Sequence, residues 1–80
     1  MKIVVYSKSH CPNCDAAKNM LKAKDLEYKE ISLESEEERQ GFYKTAGVSV
    51  RQLPQIFING QRIGGHLGLR EWIKWKESQK

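Results

Sequence analysis

Cysteine, proline and long apolar runs are scarce in this 80-residue sequence, which contains two cysteines and two prolines. Small secreted domains usually rely on two or more disulfides, whereas Cys11 and Cys14 would close a loop too short to constrain the chain. No apolar run approaches the roughly 18 to 20 residues of a membrane span, and the N-terminus becomes polar too soon for a signal peptide. We therefore expect a cytoplasmic protein without a membrane partner, in which the cysteines are reactive rather than structural.

The short length predicts one domain over residues 1–80, which buries roughly 60% of the surface of the unfolded chain. Its formal net charge is +4 and its pI is near 9.2. The basic residues are scattered over several predicted elements with acids between them, which favours a solvated surface over a nucleic-acid face. A mildly positive field still favours anionic partners of other kinds.

The sequence pattern predicts seven elements in the order β-α-β-α-β-β-α. The β-branched run at 2–6 is typical of a strand buried on both faces, and Pro12 begins an amphipathic helix with an apolar stripe. Ser35 and Glu38 match a capping box, and Asn59-Gly60 is a strong hairpin signal. The predicted strands are 2–6, 27–31, 55–58 and 61–63, ended by Gly64-Gly65, and the predicted helices are 12–24, a segment from the Ser35 cap to about 46, and 67–76.

These elements predict an α/β fold with a four-stranded mixed sheet flanked by three helices. A right-handed crossover makes the first two strands parallel, and the hairpin adds two antiparallel strands. The first helix then begins at the carboxyl end of the first strand, where open α/β sheets bind their ligands.

Cys11 is predicted to be the N-cap of the first helix, because proline is favoured at the first helical position and Pro12 follows it. Unpaired N–H groups of the first turn, including those of Asn13 and Cys14, can point at its sulfur, and the helix dipole favours a negative charge there. We therefore expect a lowered pKa for Cys11, with Lys8 as a nearby cation. This is the environment of a nucleophilic thiolate.

Cys14 lies one turn further along the same helical face, within reach of Cys11. Cys11 can attack a substrate disulfide, and Cys14 can then resolve the mixed disulfide. Two inert, packed cysteines and half of a zinc site are the alternatives. The zinc alternative lacks a second cysteine pair, and His10 and His66 are not at ligand spacing, so we expect no metal and interpret His66 as a surface or loop residue.

Three segments in order resemble glutaredoxins over essentially the whole chain: Cys11-Pro12-Asn13-Cys14 after a strand, Leu53-Pro54-Gln55-Ile56-Phe57-Ile58, and Ile63-Gly64-Gly65. The resemblance implies a minimal thioredoxin fold, Cys11 as the nucleophile and a cis Leu53–Pro54 bond. That bond would present the Leu53 backbone to an extended cysteinyl peptide. An ordinary trans proline at the start of a strand is the alternative.

The resemblance also implies a glutathione site. The matching positions are Lys8, for the glycyl carboxylate, together with Asn13, Gln52, Leu53, Pro54, Gly64 and Gly65; Arg51 is close enough in sequence to contribute. Three positions depart from the family pattern: Asn13 replaces a common tyrosine, Gln52-Leu53 a common Thr-Val, and Leu67-Gly68 a common Asp-Asp. The last change removes the usual carboxylate for the γ-glutamyl ammonium, a loss of about 1.5 to 3 kcal/mol for a charge-assisted hydrogen bond.

The expected function is a dithiol glutaredoxin that reduces protein disulfides and glutathione mixed disulfides. Glutathione is its expected reductant, with no bound cofactor; ribonucleotide reductase is a candidate protein partner, and we expect a monomer. One alternative is a glutaredoxin-like redoxin reduced by thioredoxin reductase, which the missing acids favour. Another is a glutathione-ligated [2Fe-2S] module with Cys11 as ligand, although such members more often lack a proline at the position of Pro12.

Overall fold

A computed structural model describes residues 1–48 and 51–79 of the chain. Its element order is the predicted one. The strands are β1 (Ile3–Ser7), β2 (Lys29–Ser32), β3 (Gln55–Ile58) and β4 (Gln61–Gly64), and the helices are α1 (Pro12–Ala23), α2 (Glu36–Ala46) and α3 (His66–Ser78). Within the described ranges, no helix is long and apolar enough to cross a membrane.

The four strands form one mixed sheet in the order β2-β1-β3-β4. β1 is parallel to β2 and antiparallel to β3, and β4 pairs antiparallel with β3, as the connections predict. Val5 at the centre of β1 lies opposite Glu30 on one side and Ile56 on the other. The predicted place of β1 in the middle of the sheet is confirmed, whereas burial is complete on one face only: Ile3, Val5 and Ser7 are buried, and Val4 and Tyr6 on the other face are half-buried.

The two faces of the sheet are covered by different helices, because side chains alternate along each strand. On one face, α1 and α3 enclose the main core, formed by Ile3, Val5, Ala17, Leu21, Ile56, Ile58, Leu69 and Ile73. On the other face, Phe42 of α2 stacks on Tyr6 with ring centroids 4.2 Å apart, and Phe57 contacts the Tyr6 ring edge at 5.7 Å. The sheet is therefore the middle of three layers, and the carboxyl end of β1 lies between α1 and α2.

Local signals fixed both ends of α2. The Ser35 hydroxyl accepts a hydrogen bond from the Glu38 N–H at 3.0 Å, and the Glu38 carboxylate accepts one from the Ser35 N–H at 3.2 Å. Gly47 ends the helix in the left-handed region with φ 68°. The hairpin residues Asn59 and Gly60 also have positive φ, 53° and 81°, as their turn requires. The capping box, the glycine stop and the hairpin are confirmed.

The predicted position of the second strand, 27–31, is wrong by up to two residues, because pairing with β1 covers Lys29–Ser32. After α1 the chain turns at Asp25, which has φ 55°, and the Leu26 N–H donates back to the Leu21 carbonyl. Leu26 also packs against the main core. Glu27 and Tyr28, which the prediction placed in the strand, therefore belong to the connection between α1 and β2.

The region between β4 and α3 also differs from the prediction. Gly64 was predicted to follow the strand but is part of it, as its last residue. It pairs with Ile56 at an irregularity in the ladder and has φ 112°. α3 begins at His66 rather than 67 and continues to Ser78 rather than 76, because its last turn is polar and carries no apolar signal. β1 is shifted by one residue to 3–7, and α1 ends one residue early at 23.

Candidate active site

Cys11 is the N-cap of α1, as predicted. Its backbone is extended, with φ −124° and ψ 98°, and Pro12 occupies the first helical position. The Cys14 N–H donates to the Cys11 sulfur at 3.1 Å. This donor has no partner within the helix, so the sulfur satisfies it and the helix dipole adds to the attraction for a thiolate.

The two sulfurs are joined in a disulfide, with the Cα atoms 5.2 Å apart. Cys11 keeps 7% of its surface exposed, whereas Cys14 is fully buried at 0%. The prediction that Cys14 is the more enclosed thiol is confirmed. An incoming sulfur can therefore reach Cys11 but not Cys14.

The Leu53–Pro54 peptide bond is cis, as predicted. The Leu53 carbonyl oxygen lies 3.7 Å from the Cys11 sulfur. In the oxidised form that sulfur carries no proton, so the approach is a van der Waals contact; a Cys11 thiol could donate to the same oxygen. The segment before Pro54 thus forms one wall beside Cys11, although it is 42 positions away in sequence.

Two cavities meet beside Cys11. The α2 cavity, of about 520 Å³, is lined by Lys8, Asn13, Glu36, Arg39, Gln40, Tyr43, Arg51, Gln52 and Leu53. The α3 cavity, of about 180 Å³, is lined by Asn13, Gln52, Leu53, Pro54, Gln55, Arg62, Gly65, His66 and Leu67. They share the wall formed by Asn13, Gln52 and Leu53. Cys11 itself lines neither cavity, but the Leu53 carbonyl oxygen of the shared wall is 3.7 Å from its sulfur, so the two cavities together form a groove next to Cys11.

The groove brings together most of the residues predicted to bind glutathione. Lys8 lines the α2 cavity, and Pro54 and Gly65 line the α3 cavity. Gly64, the last residue of β4, lines neither of them. His66, interpreted from the sequence as a surface or loop residue, belongs to a helix and not to a loop: it is the first residue of α3, is half-buried and lines the α3 cavity.

Sequence reasoning missed the polar residues that α2 and the hairpin contribute. Gln55 is only 2% exposed; its amide nitrogen donates to the Gln52 carbonyl at 2.9 Å, and its amide oxygen accepts from the Arg62 Nε at 3.0 Å. The buried amide thereby orients both the segment before Pro54 and the Arg62 guanidinium. The available signal was a glutamine beginning an otherwise apolar strand, because a buried polar group needs partners.

A polar cluster ties the end of β1 to its neighbours. The buried Ser7 hydroxyl donates to the Glu30 carboxylate at 2.6 Å, and the Lys18 ammonium donates to the same oxygen at 2.9 Å. The Ser7 hydrogen bond, followed by that of Lys18, lowers the pKa of Glu30, and the hydrogen bond to Glu30 raises the pKa of Lys18. This cluster joins β1, β2 and α1 just below the loop that carries Cys11.

The close packing of α3 explains why position 68 lacks one of the two acids that are common in the family at 67 and 68. A Cβ placed on Gly68 would lie 3.2 Å from the Ile63 carbonyl carbon and would overlap the carbonyl oxygen. An aspartate at 68 would therefore require the backbone to shift. Leu67, in contrast, is 61% exposed and borders the α3 cavity, so that position has room for a carboxylate.

No cluster of three or more histidine, cysteine or acidic side chains suited to a metal ion occurs among residues 1–48 and 51–79. A cysteine pair that begins a helix at the carboxyl end of the central strand, facing a cis proline, defines a redox-active protein of the thioredoxin fold. The family model for glutaredoxin matches residues 3–63. The chain belongs to the glutaredoxin family.

Individual relatives agree with this assignment. Glutaredoxin-C4 of Arabidopsis thaliana is 38% identical over 66 residues, covering 80% of this chain, and this chain spans about half of its length, 49%. Glutaredoxin 1 of Francisella tularensis superposes with a TM-score of 0.88 at 27% identity, over 99% of this chain and 98% of that one. A buckwheat glutaredoxin in complex with glutathione gives 0.77 at 27% identity, over 92% of this chain and 69% of that one.

Proposed function

We propose that the chain is a dithiol oxidoreductase that reduces protein disulfides and glutathione mixed disulfides, with glutathione as its reductant. The observation that carries this proposal is the asymmetry of the cysteine pair. Cys11 has an exposed edge and a backbone N–H directed at its sulfur, and Cys14 is enclosed directly behind it. An attacking thiolate needs the accessible edge and the N–H donor that Cys11 has, whereas a resolving thiol needs only to lie directly behind the nucleophile, as Cys14 does.

The reaction begins with the Cys11 thiolate, which attacks one sulfur of a substrate disulfide. The sulfur–sulfur bond of the substrate breaks, one thiol leaves, and Cys11 carries the other half as a mixed disulfide. Cys14 then gives up its proton and attacks the Cys11 sulfur, which releases the second thiol and forms the Cys11–Cys14 disulfide. The substrate has gained two electrons and the protein has lost two, and two glutathione molecules restore the dithiol as they form glutathione disulfide.

The groove supplies groups suited to glutathione bound through its cysteine. Lys8 in the α2 cavity can pair with the glycyl carboxylate, and the Leu53 backbone can pair with the cysteinyl residue. Asn13, Gln52 and Pro54 complete the wall, and Gly65 leaves backbone N–H groups at the start of α3 open to an anion. The family assignment and the buckwheat complex with glutathione support this arrangement.

We also propose a cytoplasmic, monomeric protein whose substrates include disulfide-containing proteins, with ribonucleotide reductase as a candidate. The scarcity of cysteine supports a reducing compartment. Sedimentation at micromolar concentration tests the monomer, and fractionation of the host cell tests the compartment. Coupled turnover of ribonucleotide reductase by the reduced protein tests the partner.

A redoxin recharged by thioredoxin reductase is the second candidate. It is favoured by the absence of an acid at 67 and 68, where a γ-glutamyl ammonium would need a carboxylate, and by the packing of Gly68 that excludes one. The two candidates predict different electron donors for the same Cys11–Cys14 disulfide.

The deciding experiment compares two ways of reducing the oxidised protein. One arm contains glutathione, glutathione reductase and NADPH; the other contains thioredoxin reductase and NADPH. We expect sustained NADPH oxidation in the first arm when a glutathione mixed disulfide is the substrate. Turnover only in the second arm would replace the first candidate by the second.

A further inference from the structure

The charges around the groove are unbalanced. Among the described lining residues of the two cavities, four carry a permanent positive charge, namely Lys8, Arg39, Arg51 and Arg62, and Glu36 alone carries a negative one. The net charge of the whole chain is only +4. The groove therefore concentrates positive charge beside the reactive sulfur.

The three arginines of the groove are held by neutral oxygens. Arg39 donates to the Leu33 carbonyl at 2.9 Å, Arg51 donates to the side-chain oxygen of Gln40, and Arg62 donates to Gln55. Among residues 1–48 and 51–79, no carboxylate lies within ion-pair distance of any of the three, or of Lys8. Neutral partners orient a guanidinium and leave its charge available.

Several cations outside the groove are paired instead. Lys18 contacts Glu30 at 2.9 Å, Lys24 contacts Glu77 at 2.7 Å, and Lys74 lies 3.9 Å from Glu71. Their carboxylate partners already compensate their charge. Other described cations outside the groove, such as Lys22, Lys44 and Arg70, form no ion pair either, so the groove is distinguished by having four cations and one acid in its lining, not by unpaired charge alone.

We propose that the groove selects protein disulfides whose reacting cysteine is flanked by acidic residues. The inference rests on the proposed disulfide reductase activity and names the substrate class within it. A peptide extended past Leu53, with its cysteine at Cys11, would place residues on one side near Lys8 and Arg51 and residues on the other side near Arg62. Carboxylates at both flanks meet cations, and the cis-proline segment supplies the backbone contacts.

The α3 cavity distinguishes such a peptide from glutathione. Glutathione ends in an ammonium beside a carboxylate, and the described lining of this cavity offers Arg62 and no acid to balance the ammonium. A peptide interior has no ammonium there, so an acidic side chain gains the attraction without the opposing repulsion. Complementary charge of this kind raises association rates and rejects like-charged partners.

Symmetric disulfides of three short peptides test the proposal, because either sulfur then carries the same flanks. Each peptide has a central cysteine flanked by two residues on either side, which are glutamates, glutamines or lysines. The stoichiometrically reduced protein is mixed with each disulfide in stopped flow, and one turnover releases two peptide thiols and forms Cys11–Cys14. Rates are divided by those of dithiothreitol with the same peptide, which removes the effect of the flanks on intrinsic thiol reactivity.

The expected result is a preference of about tenfold for the glutamate over the glutamine peptide at low ionic strength, since each exposed ion pair contributes a factor of roughly 1.5 to 5. The lysine peptide should be slowest. In 1 M salt the Debye length falls to about 3 Å, and the preference should largely disappear. Equal normalised rates for the three peptides would overturn the inference while leaving the reductase activity intact.

Two variants that each remove one positive charge distinguish an effect of the groove cations from an effect of the net charge of the protein. Arg62→Gln removes a groove cation, and Lys74→Gln removes an exposed cation on α3 outside both cavities. The ratio of the rate with the glutamate peptide to the rate with the glutamine peptide should fall by a factor of about 1.5 to 5 in Arg62→Gln, the contribution of one exposed pair, and stay unchanged in Lys74→Gln. An equal fall in both would overturn the inference, since net charge would then explain the preference. If the protein reduces none of the disulfides, the proposed function itself fails.

Discussion

Replacement of Gly68 by alanine tests how tightly α3 packs on β4. A glycine inside a helix costs about 1 kcal/mol relative to alanine, so helix propensity alone predicts that Gly68→Ala stabilises the fold. The structure predicts the reverse, because the new Cβ would overlap the Ile63 carbonyl oxygen and lie 3.2 Å from its carbon. A backbone carbonyl cannot rotate away as a flexible side chain can. Overpacking of this kind costs typically 1 to 3 kcal/mol, about 2 kcal/mol at the middle of the range, which exceeds the gain in propensity by about 1 kcal/mol.

Gly41 provides a matched control in α2. It is exposed, and a Cβ added there would meet nothing within 4 Å. Gly41→Ala should therefore stabilise the protein by about 0.4 to 1 kcal/mol, whereas Gly68→Ala should destabilise it by about 1 kcal/mol. The difference between the two variants, about 1.4 to 2 kcal/mol, corresponds to roughly 6 to 16 °C in melting temperature for a domain of this size.

The assay is thermal and urea denaturation of both variants with the Cys11–Cys14 disulfide kept oxidised throughout. An unchanged urea m-value would assign the difference to the folded state. Equal stabilisation in Gly41→Ala and Gly68→Ala would refute the close approach of α3 to Ile63. It would also remove the steric reason for the absence of an acid at 68.

Two further predictions concern single charges near the site. Leu67→Asp should lower the KM for glutathione mixed disulfides by a factor of about 1.5 to 5 relative to Leu67→Asn, because the new carboxylate is exposed and an exposed pair contributes only about 0.2 to 1 kcal/mol. An equal KM in the two variants would exclude an ammonium subsite at this position. Glu30 has a pKa lowered in the folded protein by its hydrogen bonds from Ser7 and Lys18, so its contribution is present above its ordinary pKa and is lost as the pH falls through the folded value. The free energy of unfolding should therefore fall less steeply below about pH 5 in Glu30→Gln than in the control Glu27→Gln. The difference in that loss should be no more than about 1 kcal/mol, since the Glu30 side chain is 36% exposed. The same pH profile in both variants would contradict this prediction.

The features that local chemistry determines were predictable from the sequence. Pro12 after Cys11 places the cysteine as an N-cap, because proline is favoured at the first helical position and the N-cap is the residue before it. The Ser35 cap and the Asn59-Gly60 turn depend on neighbouring residues in the same way. Their prediction required no knowledge of the rest of the chain.

The composition of the groove was not predictable in this way. Arg39 borders the site only because α2 packs on one face of the sheet, and Arg62 only because β4 pairs with β3 at the sheet edge. No local pattern distinguishes either residue from a solvated surface cation. At Gly68 the sequence showed the difference but not its cause. Comparison with the family pattern showed that an acid is missing there, but the steric reason is visible only in the close approach of α3 to Ile63. Tertiary contacts decide both cases.

The division of roles between Cys11 and Cys14 is the central claim, and trapping the intermediate tests it most directly. Cys14→Ser is incubated with a peptide–glutathione mixed disulfide, and the adduct is identified by intact mass and peptide mapping; Cys11→Ser is treated identically. The account predicts a stable mixed disulfide on Cys11 in the first variant and no adduct on the same time scale in the second, because Cys14 is fully buried. Formation of an adduct on Cys14 in Cys11→Ser, at a rate comparable to that of Cys11 in Cys14→Ser, would contradict it.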